Sequence, residues 1–297
     1  MVGRNLLEHP RISEWEVLAP SHAQLDLTDL AAVVTYLQHH KPDIVLHAAG
    51  RVGGIQANLA DPVNFLLINL DMGRNLVHAA RLAGITKLIN LGSSCMYPRV
   101  SPDLLREEMV LSGPLEPSNE GYALAKIVTA RLCKYIREAD SRYQYKTIIP
   151  CNLYGRFDKF DPVHSHLVPA IIHKTHVAMQ NGRSSIEIWG DGSARREFMY
   201  AGDFSDALVH ALGNFEGMPF DLNIGLGVDY SVQEYYEAVA ATLGYSGKFD
   251  YILDKPVGMM RKLVSIERQQ AWGWTPKTAL VQGIRKTVDF YFQTVVT

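Results

Sequence analysis

The stretch KLINLGSSCMYP, residues 87–98, holds the pattern that decides the fold. Its first five residues, Lys87 to Leu91, form a short apolar run that Gly92 and Ser93 interrupt. A buried strand that ends in small polar residues is typical of a parallel sheet, in which ligands lie beyond the carboxyl ends of the strands. The pattern therefore predicts a strand over 87–91 and a polar site beginning at Ser93.

Similar apolar runs recur along the first half of the chain and alternate with amphipathic stretches. The runs cover 16–18, 43–47 and 147–149, and the predicted helices cover 28–39, 62–83 and 118–139. This alternation predicts an α/β fold with a doubly wound parallel sheet of the Rossmann type. After the Asn-Leu-Tyr-Gly segment at 152–155 the pattern changes, and helices are predicted near 167–180, 203–213, 231–243 and 279–296.

The change of pattern near residue 155 predicts two closely packed parts. Residues 1–155 are expected to form the dinucleotide-binding Rossmann domain, with some later segments near 198–225 returning to it. Residues 156–297 are expected to form mainly a smaller substrate domain. Because no long linker or repeat separates them, the two parts should share a cleft.

The amino terminus departs from the expected start of such a fold. A dinucleotide-binding domain normally opens with a buried strand, a glycine-rich turn and a helix that receives the pyrophosphate. Here Met1 and Val2 lead directly to Gly3, at the place of the last glycine of that turn, and then into Arg4-Asn5-Leu6. The sequence predicts that the first strand and most of the glycine-rich loop are missing.

Charge and cysteine content exclude several classes of protein. The 29 basic and 31 acidic residues leave a formal net charge of -2, which favours neither a nucleic-acid surface nor a polybasic membrane patch. Cys95, Cys133 and Cys151 are too few for a disulfide framework, and none pairs with another at metal-ligand spacing. We expect a cytoplasmic protein that has no metal site and binds neither nucleic acid nor membrane.

Tyr122 and Lys126 stand four residues apart in the predicted helix over 118–139, so their side chains share one face. A nearby ammonium favours the phenolate and lowers the pKa of a tyrosine. Ser93, at the end of its strand, can hydrogen-bond the same substrate oxygen. The three residues predict a site in which a tyrosine donates a proton to a carbonyl oxygen.

Several motifs together resemble the extended short-chain dehydrogenase/reductase family, and within it the enzymes that epimerise and reduce GDP-sugars. The resemblance covers essentially the whole chain. Its motifs are HAA at 47–49, VGGI at 52–55, GSSCMYP at 92–98, EPSNE at 116–120, YALAK at 122–126, NLYG at 152–155, SH at 165–166, WG at 189–190, REF at 196–198, Asp203, NIG at 223–225 and KP at 255–256. Ser-Ser-Cys followed by a downstream Ser-His is specific to that subgroup.

The resemblance implies an NADPH-dependent epimerase-reductase that acts on a GDP-4-keto-6-deoxy sugar. A ketone at carbon 4 acidifies the hydrogens at carbons 3 and 5, so a thiolate base and an acid on opposite faces can invert those centres through an enolate. Cys95 and His166 have the chemistry for that pair. A free cysteine also suits a buried apolar position, but Cys95 lies two residues after Ser93, which favours catalysis.

The resemblance further implies that Lys126 holds the nicotinamide ribose. The full set of cofactor-binding candidates is Gly3, Ser21, His22, Asp26, Leu27, Ala48, Ala49, Gly50, Lys126, Asn152, Leu153 and His166. The segment Pro20-Ser21-His22 has no acid that would bind the ribose 2′-hydroxyl of NAD, which favours NADP(H). Asp26 is equally suited to cap the helix predicted to begin near Thr28.

Cations are needed for the diphosphate of a GDP-sugar, and Arg196, Lys262 and Lys174 match the positions that the resemblance implies. Ser94 and Trp189 complete the substrate-binding candidates. The resemblance also implies a homodimer in which the helices over 62–83 and 118–139 pair into a four-helix bundle.

Two departures leave the exact sugar open. The chain has Val257 where the subgroup usually has aspartate in a Lys-Pro-Asp-Gly motif, and Ser265 where another aspartate is expected. The 6-deoxy-mannose derivative, which gives GDP-L-fucose, is the favoured substrate. The alternatives are a 3-deoxy ketosugar that is inverted only at carbon 5 to give GDP-L-colitose, a heptose, and a non-enzymatic NADP-sensing role on the same fold.

Overall fold

The structure is a computed structural model that describes residues 1–100, 104–161, 165–255 and 258–296. The helices in these ranges are α1 (Val2–Leu7), α2 (Leu30–His40), α3 (Ile55–Ala60), α4 (Pro62–Leu82), α5 (Glu120–Ala139), α6 (Leu167–Gln180), α7 (Ala201–Gly213), α8 (Val232–Leu243), α9 (Glu267–Ala271) and α10 (Leu280–Thr294). The strands are β1 (Val45–His47), β2 (Lys87–Leu91), β3 (Gln144–Pro150), β4 (Asn152–Tyr154), β5 (Ser185–Trp189), β6 (Arg195–Arg196), β7 (Phe198–Tyr200), β8 (Asp221–Ile224), β9 (Tyr230–Ser231), β10 (Lys248–Ile252) and β11 (Arg261–Lys262).

The centre of the molecule is a four-stranded sheet in the order β1, β2, β3, β8. All three strand pairs are parallel, and the helices α4 and α5 lie in the connections between successive strands. Parallel neighbours require such crossovers. The prediction of an α/β fold with a parallel, Rossmann-type sheet is confirmed.

One predicted strand is wrong. Residues 16–18 adopt no regular structure, and Val17 and Leu18 are 43% and 42% exposed. A strand depends on hydrogen bonds to a neighbouring strand, and among the described strands β1 pairs with β2 alone. The apolar run at 16–18 therefore has the composition of a strand without the pairing that would make it one.

Apolar side chains form separate clusters in the part of the chain around the sheet and in the part that follows it. The sheet is packed by residues of β2, β3, α5 and α7, among them Ile89, Ile148 and Phe204. A second cluster, which includes Ile171 and Tyr291, joins α6, α8 and α10. The strand pairs β4 with β7, β5 with β10, and β6 with β9 and β11 lie outside the central sheet.

The helices α4 and α5 pack against each other along their length. Where α4 passes α5, a Cβ atom on Gly73 would lie 2.2 Å from Oγ1 of Thr129. The absence of a side chain at Gly73 thus allows close packing of the two helices. This packing fixes α5, which carries Tyr122 and Lys126 toward the carboxyl end of β2.

The described residues contain no helix that is long and apolar enough to cross a membrane.

Candidate active site

The turn after β2 brings Ser93 and Cys95 to the edge of the sheet. Gly92 N donates to Ile148 O of the neighbouring strand at 2.8 Å. Ser93 Oγ accepts from Cys95 N at 3.2 Å, which stabilises a short 3-10 turn over Ser94–Met96. The turn positions the serine hydroxyl and the cysteine thiol as neighbours at the end of β2.

Lys126 lies almost completely inside the protein, with 6% of its surface exposed. Its Nζ donates to the carbonyl oxygen of Leu91 at 2.9 Å and lies 5.9 Å from the centre of the Tyr122 ring. Burial lowers the pKa of Lys126 to about 8. A Cβ atom on Gly50 would lie 3.8 Å from the same Nζ, so the loop after β1 approaches this ammonium.

The expected lowering of the Tyr122 pKa is wrong. Burial raises the pKa of the phenol well above its ordinary value, and the neighbouring Cys95 raises it further. The hydrogen bond with Ser93 acts in the opposite direction but is the smaller effect. Because desolvation of the phenolate outweighs the hydrogen bond with Ser93, Tyr122 keeps its proton at neutral pH, which is the form that a proton donor requires.

The sulfur of Cys95 has two hydrogen-bond donors beside it. Asn119 Nδ2 lies 3.1 Å from Sγ, and Lys262 Nζ lies 3.5 Å from it. Lys262 is buried and belongs to β11, where it pairs with Arg196. The sequence pattern predicts Lys262 only as a diphosphate ligand and gives no role to Asn119, although Asn119 lies within the EPSNE motif.

His166 precedes α6 as its N-cap residue but forms no side-chain capping hydrogen bond. Burial lowers its pKa, while the carboxyl group of Asp158 acts to raise it and Lys262 acts to lower it. A Cβ atom on Gly54 would lie 2.6 Å from the carbonyl oxygen of Ser165. The loop before α3 therefore contacts the main chain directly beside His166.

The candidates between residues 21 and 27 lie in a loop before α2. Ser21 donates to Gln24, His22 is highly exposed, and Asp26 accepts from Thr28 N at 2.8 Å. The alternative role for Asp26 as a helix cap is wrong, because Asp29 is the N-cap of α2 and accepts from Ala32 N. Leu27 O accepts from Asn75 at 3.0 Å, which ties this loop to α4.

Asn152 and Leu153 lie in β4, beside β7. Asn152 Nδ2 donates to the backbone of Glu197 at 3.0 Å. The Glu197 carboxylate is buried and accepts from the backbone of Leu226, Gly227 and Val264. Burial raises its pKa to about 7. The sequence pattern indicates no role for Glu197, yet its carboxylate joins the segments at 226–227 and 264 to the strand beside Asn152.

The remaining substrate candidates lie around the second part of the chain. A Cβ atom on Gly258 would lie 3.5 Å from the Arg196 guanidinium and 3.7 Å from Ile55, so Arg196 and the first residue of α3 lie beside the same glycine. Trp189 ends β5 and has Lys255 Nζ 5.8 Å from its ring centre. Lys174 donates to Glu187 O.

Of the other predicted residues, Ser94 is buried, Ala48 and Ala49 directly follow β1, and Gly3 lies within α1 with open space beside it. Val257 falls outside the described residues. The described part of the chain contains no group of three or more His, Cys, Asp or Glu side chains arranged to hold a metal ion.

The fold and the polar cluster at the ends of β1, β2 and β4 define a class of protein. The profile of the NAD dependent epimerase/dehydratase family matches residues 1–225, so the chain belongs to this family. The resemblance to extended short-chain dehydrogenases/reductases is thereby confirmed.

Individual relatives narrow the comparison. The chain is 52% identical over 291 residues to the GDP-L-colitose synthase of Yersinia pseudotuberculosis, covering 98% of this chain and 94% of the relative. It is 50% identical over 291 residues to the GDP-L-fucose synthase of Azorhizobium caulinodans, covering 98% and 93%. A solved GDP-mannoheptose C4 reductase from Campylobacter jejuni with NADP bound is 28% identical, with a TM-score of 0.86 and coverage of 98% of this chain and 95% of that chain.

The lowered pKa of Lys126 predicts a specific dependence of stability on pH. The folded protein releases the Lys126 proton near pH 8, whereas the unfolded chain keeps it to about pH 10.4. Because the unfolded state then binds more protons, the free energy of unfolding should rise by about 1.4 kcal/mol per pH unit between these values, relative to Lys126→Met. Urea unfolding of both proteins from pH 7 to 10 measures this difference; parallel curves would contradict the assignment.

Proposed function

We propose that the chain catalyses the NADPH-dependent epimerisation and 4-keto reduction of a GDP-4-keto-6-deoxy sugar, giving GDP-L-fucose. The observation that carries this proposal is the convergence of Ser93, Tyr122 and Lys126 at the end of β2, with the Cys95 thiol on the same turn. The names of the two relatives that are at least half identical to the chain support the same substrate class.

For the reduction, Tyr122 is the proton donor to the oxygen on carbon 4. Its hydrogen bond with Ser93 orients the phenol, and Ser93 supplies a second hydrogen bond to the same oxygen as it gains charge. Lys126 places a positive charge beside the phenol ring and stabilises the phenolate that proton donation leaves behind.

The cofactor is NADP(H), which when bound supplies the hydride for carbon 4. The residues fit this group: Lys126 approaches Gly50 on the loop after β1, and a side chain at Gly50 would narrow the space beside the ammonium. The solved relative with NADP bound supports the choice of cofactor. We assign nicotinamide-ribose contact to Lys126 and the other cofactor contacts to the candidates in loops 20–27 and 48–50, with Asn152, Leu153 and Gly3.

For the epimerisation, Cys95 is the base and His166 the acid on the opposite face of the sugar. The lowered pKa of His166 makes its imidazolium a ready proton donor once it is charged. The carboxyl group of Asp158 acts against that lowering of the pKa and so favours the charged imidazolium. The contact of Gly54 with Ser165 supports the position of this acid.

We propose that residues 1–155, together with segments near 198–225, bind NADP(H), and that 156–297 mainly bind the GDP-sugar. Arg196, Lys174, Trp189 and Ser94 are the proposed GDP-sugar contacts. Because pyrophosphate carries delocalised negative charge, the guanidinium of Arg196 suits it best. A cytoplasmic location is consistent with the free Cys95 thiol, since such thiols persist in reducing compartments.

A second product, GDP-L-colitose, remains a specific alternative, since the relative that is 52% identical is a GDP-L-colitose synthase. That sugar lacks the 3-hydroxyl group and is inverted at carbon 5 only. The substitution at Val257 removes a carboxylate that could accept a hydrogen bond from a sugar hydroxyl, which is compatible with the 3-deoxy substrate.

The proposed dimer uses the exposed faces of α4 and α5. Val63 and Leu67 are exposed on α4, and Leu124, Val128 and Tyr135 are exposed on α5. Their spacings of four and seven residues align them as apolar stripes. Two copies of this helix pair would bury the stripes in a four-helix bundle.

Turnover with two substrates tests the activity. GDP-4-keto-6-deoxy-mannose should support NADPH oxidation faster than its 3-deoxy analogue, followed by absorbance at the nicotinamide band. Tyr122→Phe removes only the phenol oxygen and should slow the reaction by at least about 100-fold. Faster reaction with the 3-deoxy analogue would assign the alternative product, and no oxidation with either sugar would contradict the proposed activity.

The role of Cys95 predicts a separation of the two half-reactions. Cys95→Ser should abolish solvent-deuterium incorporation into the ketosugar but retain some direct reduction, because Tyr122 and Ser93 are unchanged. Mass spectrometry of the sugar measures the incorporation. The matched control is Cys133→Ala, which changes a different cysteine that is buried in α5. Normal incorporation in Cys95→Ser would place the base on another residue.

The dimer proposal predicts the mass of the protein in solution. Sedimentation should give two copies per particle, and the double variant Leu67→Lys and Val128→Lys should give one, because charges would be buried in the bundle. Val281→Lys changes a similarly exposed position on α10 and should stay dimeric. A monomeric wild type refutes the dimer.

A further inference from the structure

The sulfur of Cys95 has two hydrogen-bond donors beside it, and they come from different parts of the chain. The Asn119 amide approaches from the 3-10 turn before α5 at 3.1 Å, and the Lys262 ammonium approaches from β11 at 3.5 Å. An ammonium group can donate hydrogen bonds but cannot accept them. A neutral thiol makes poor use of two donors, whereas a thiolate accepts from both.

Asn119 occupies a position at which an asparagine side chain normally caps a helix. It is the N-cap residue of α5, yet it forms no side-chain capping hydrogen bond. Asparagine is favoured at this position because its oxygen can accept from the backbone N–H of the first turn. Here Asn119 Oδ1 is buried and has no hydrogen-bond partner among the described residues, while the amide nitrogen is directed to sulfur.

The unmade cap has a physical cost. Loss of an N-cap hydrogen bond typically destabilises a helix, and a buried oxygen without a partner adds a desolvation penalty. Lys262, which is 9% exposed, likewise directs its ammonium to the sulfur. Two side chains from separate elements thus meet at one sulfur, and one of them does so in place of a helix cap.

We propose that Asn119 and Lys262 are positioning residues that hold Cys95 as the thiolate base for epimerisation. This proposal rests on the proposed function and deepens it. In the step, the thiolate takes a proton from carbon 3 or carbon 5 of the sugar, and the C–H electron pair forms the enolate. The negative charge moves from sulfur to the enolate oxygen, and Lys262 keeps its proton throughout.

Alkylation by iodoacetamide measures the thiolate without any turnover. The thiolate displaces iodide, so the rate follows the fraction of Cys95 that is ionised. Cys133 and Cys151 are buried, and burial raises the pKa of both thiols, so the native protein reports on Cys95. Cys95→Ser provides the blank, and mass spectrometry of the modified peptide identifies the site.

Asn119→Asp is the decisive variant. Aspartate has nearly the same shape as asparagine, but its carboxylate cannot donate to sulfur and adds a negative charge beside it. Alkylation at pH 7 should become about tenfold slower, and its midpoint should move up by about one pH unit. Asn214→Asp adds the same charge at an exposed position and should leave the profile unchanged.

Lys262→Gln should shift the alkylation profile in the same direction, and Asn119→Ala provides an uncharged second test of the amide. An alkylation profile in Asn119→Asp and Asn119→Ala that matches the wild type would overturn the proposal. Because alkylation needs neither sugar nor NADPH, shifted profiles without NADPH oxidation would contradict the proposed activity alone. Normal turnover with unshifted profiles would contradict the thiolate assignment alone.

Discussion

The site depends on a single buried contact between the ammonium of Lys126 and the last carbonyl group of β2. Placing a cation inside the protein is costly, and this cost appears as a pKa lowered to about 8. The hydrogen bond to Leu91 O offsets part of it and fixes α5 relative to the sheet. Close packing of Gly73 against Thr129 holds the same helix against α4. Tyr122, one turn earlier on α5, is thereby placed at the end of β2 beside Ser93.

Periodicity predicted helices and strands correctly where the local sequence is enough to determine them. The predicted helix over 167–180 coincides with α6, and the predicted strand over 87–91 coincides with β2. The segment at 16–18 failed because strand formation depends on a neighbour as well as on composition. Local pattern carries information about side-chain faces, but it carries none about whether a pairing partner lies alongside.

The electrostatics of the candidate site also could not be predicted from the local sequence pattern. The sequence placed Tyr122 and Lys126 on one helix face and led to an expectation of a lowered tyrosine pKa. It contained no measure of burial, which is the larger effect in the folded protein. The contact of Asn119 with Cys95 was equally hard to predict, because the position of Asn119 suggests an ordinary helix cap. Only the folded chain brings its amide, the sulfur of Cys95 and Lys262 of β11 together.

The contact between Gly54 and the carbonyl oxygen of Ser165 has a consequence for how such a site can diversify. Two main-chain segments touch there without an intervening side chain, so no rotamer change can absorb a relative movement. A residue larger than glycine at position 54 would have to push away the carbonyl group beside His166. The distance between this loop and the main chain at His166 therefore depends on glycine at position 54.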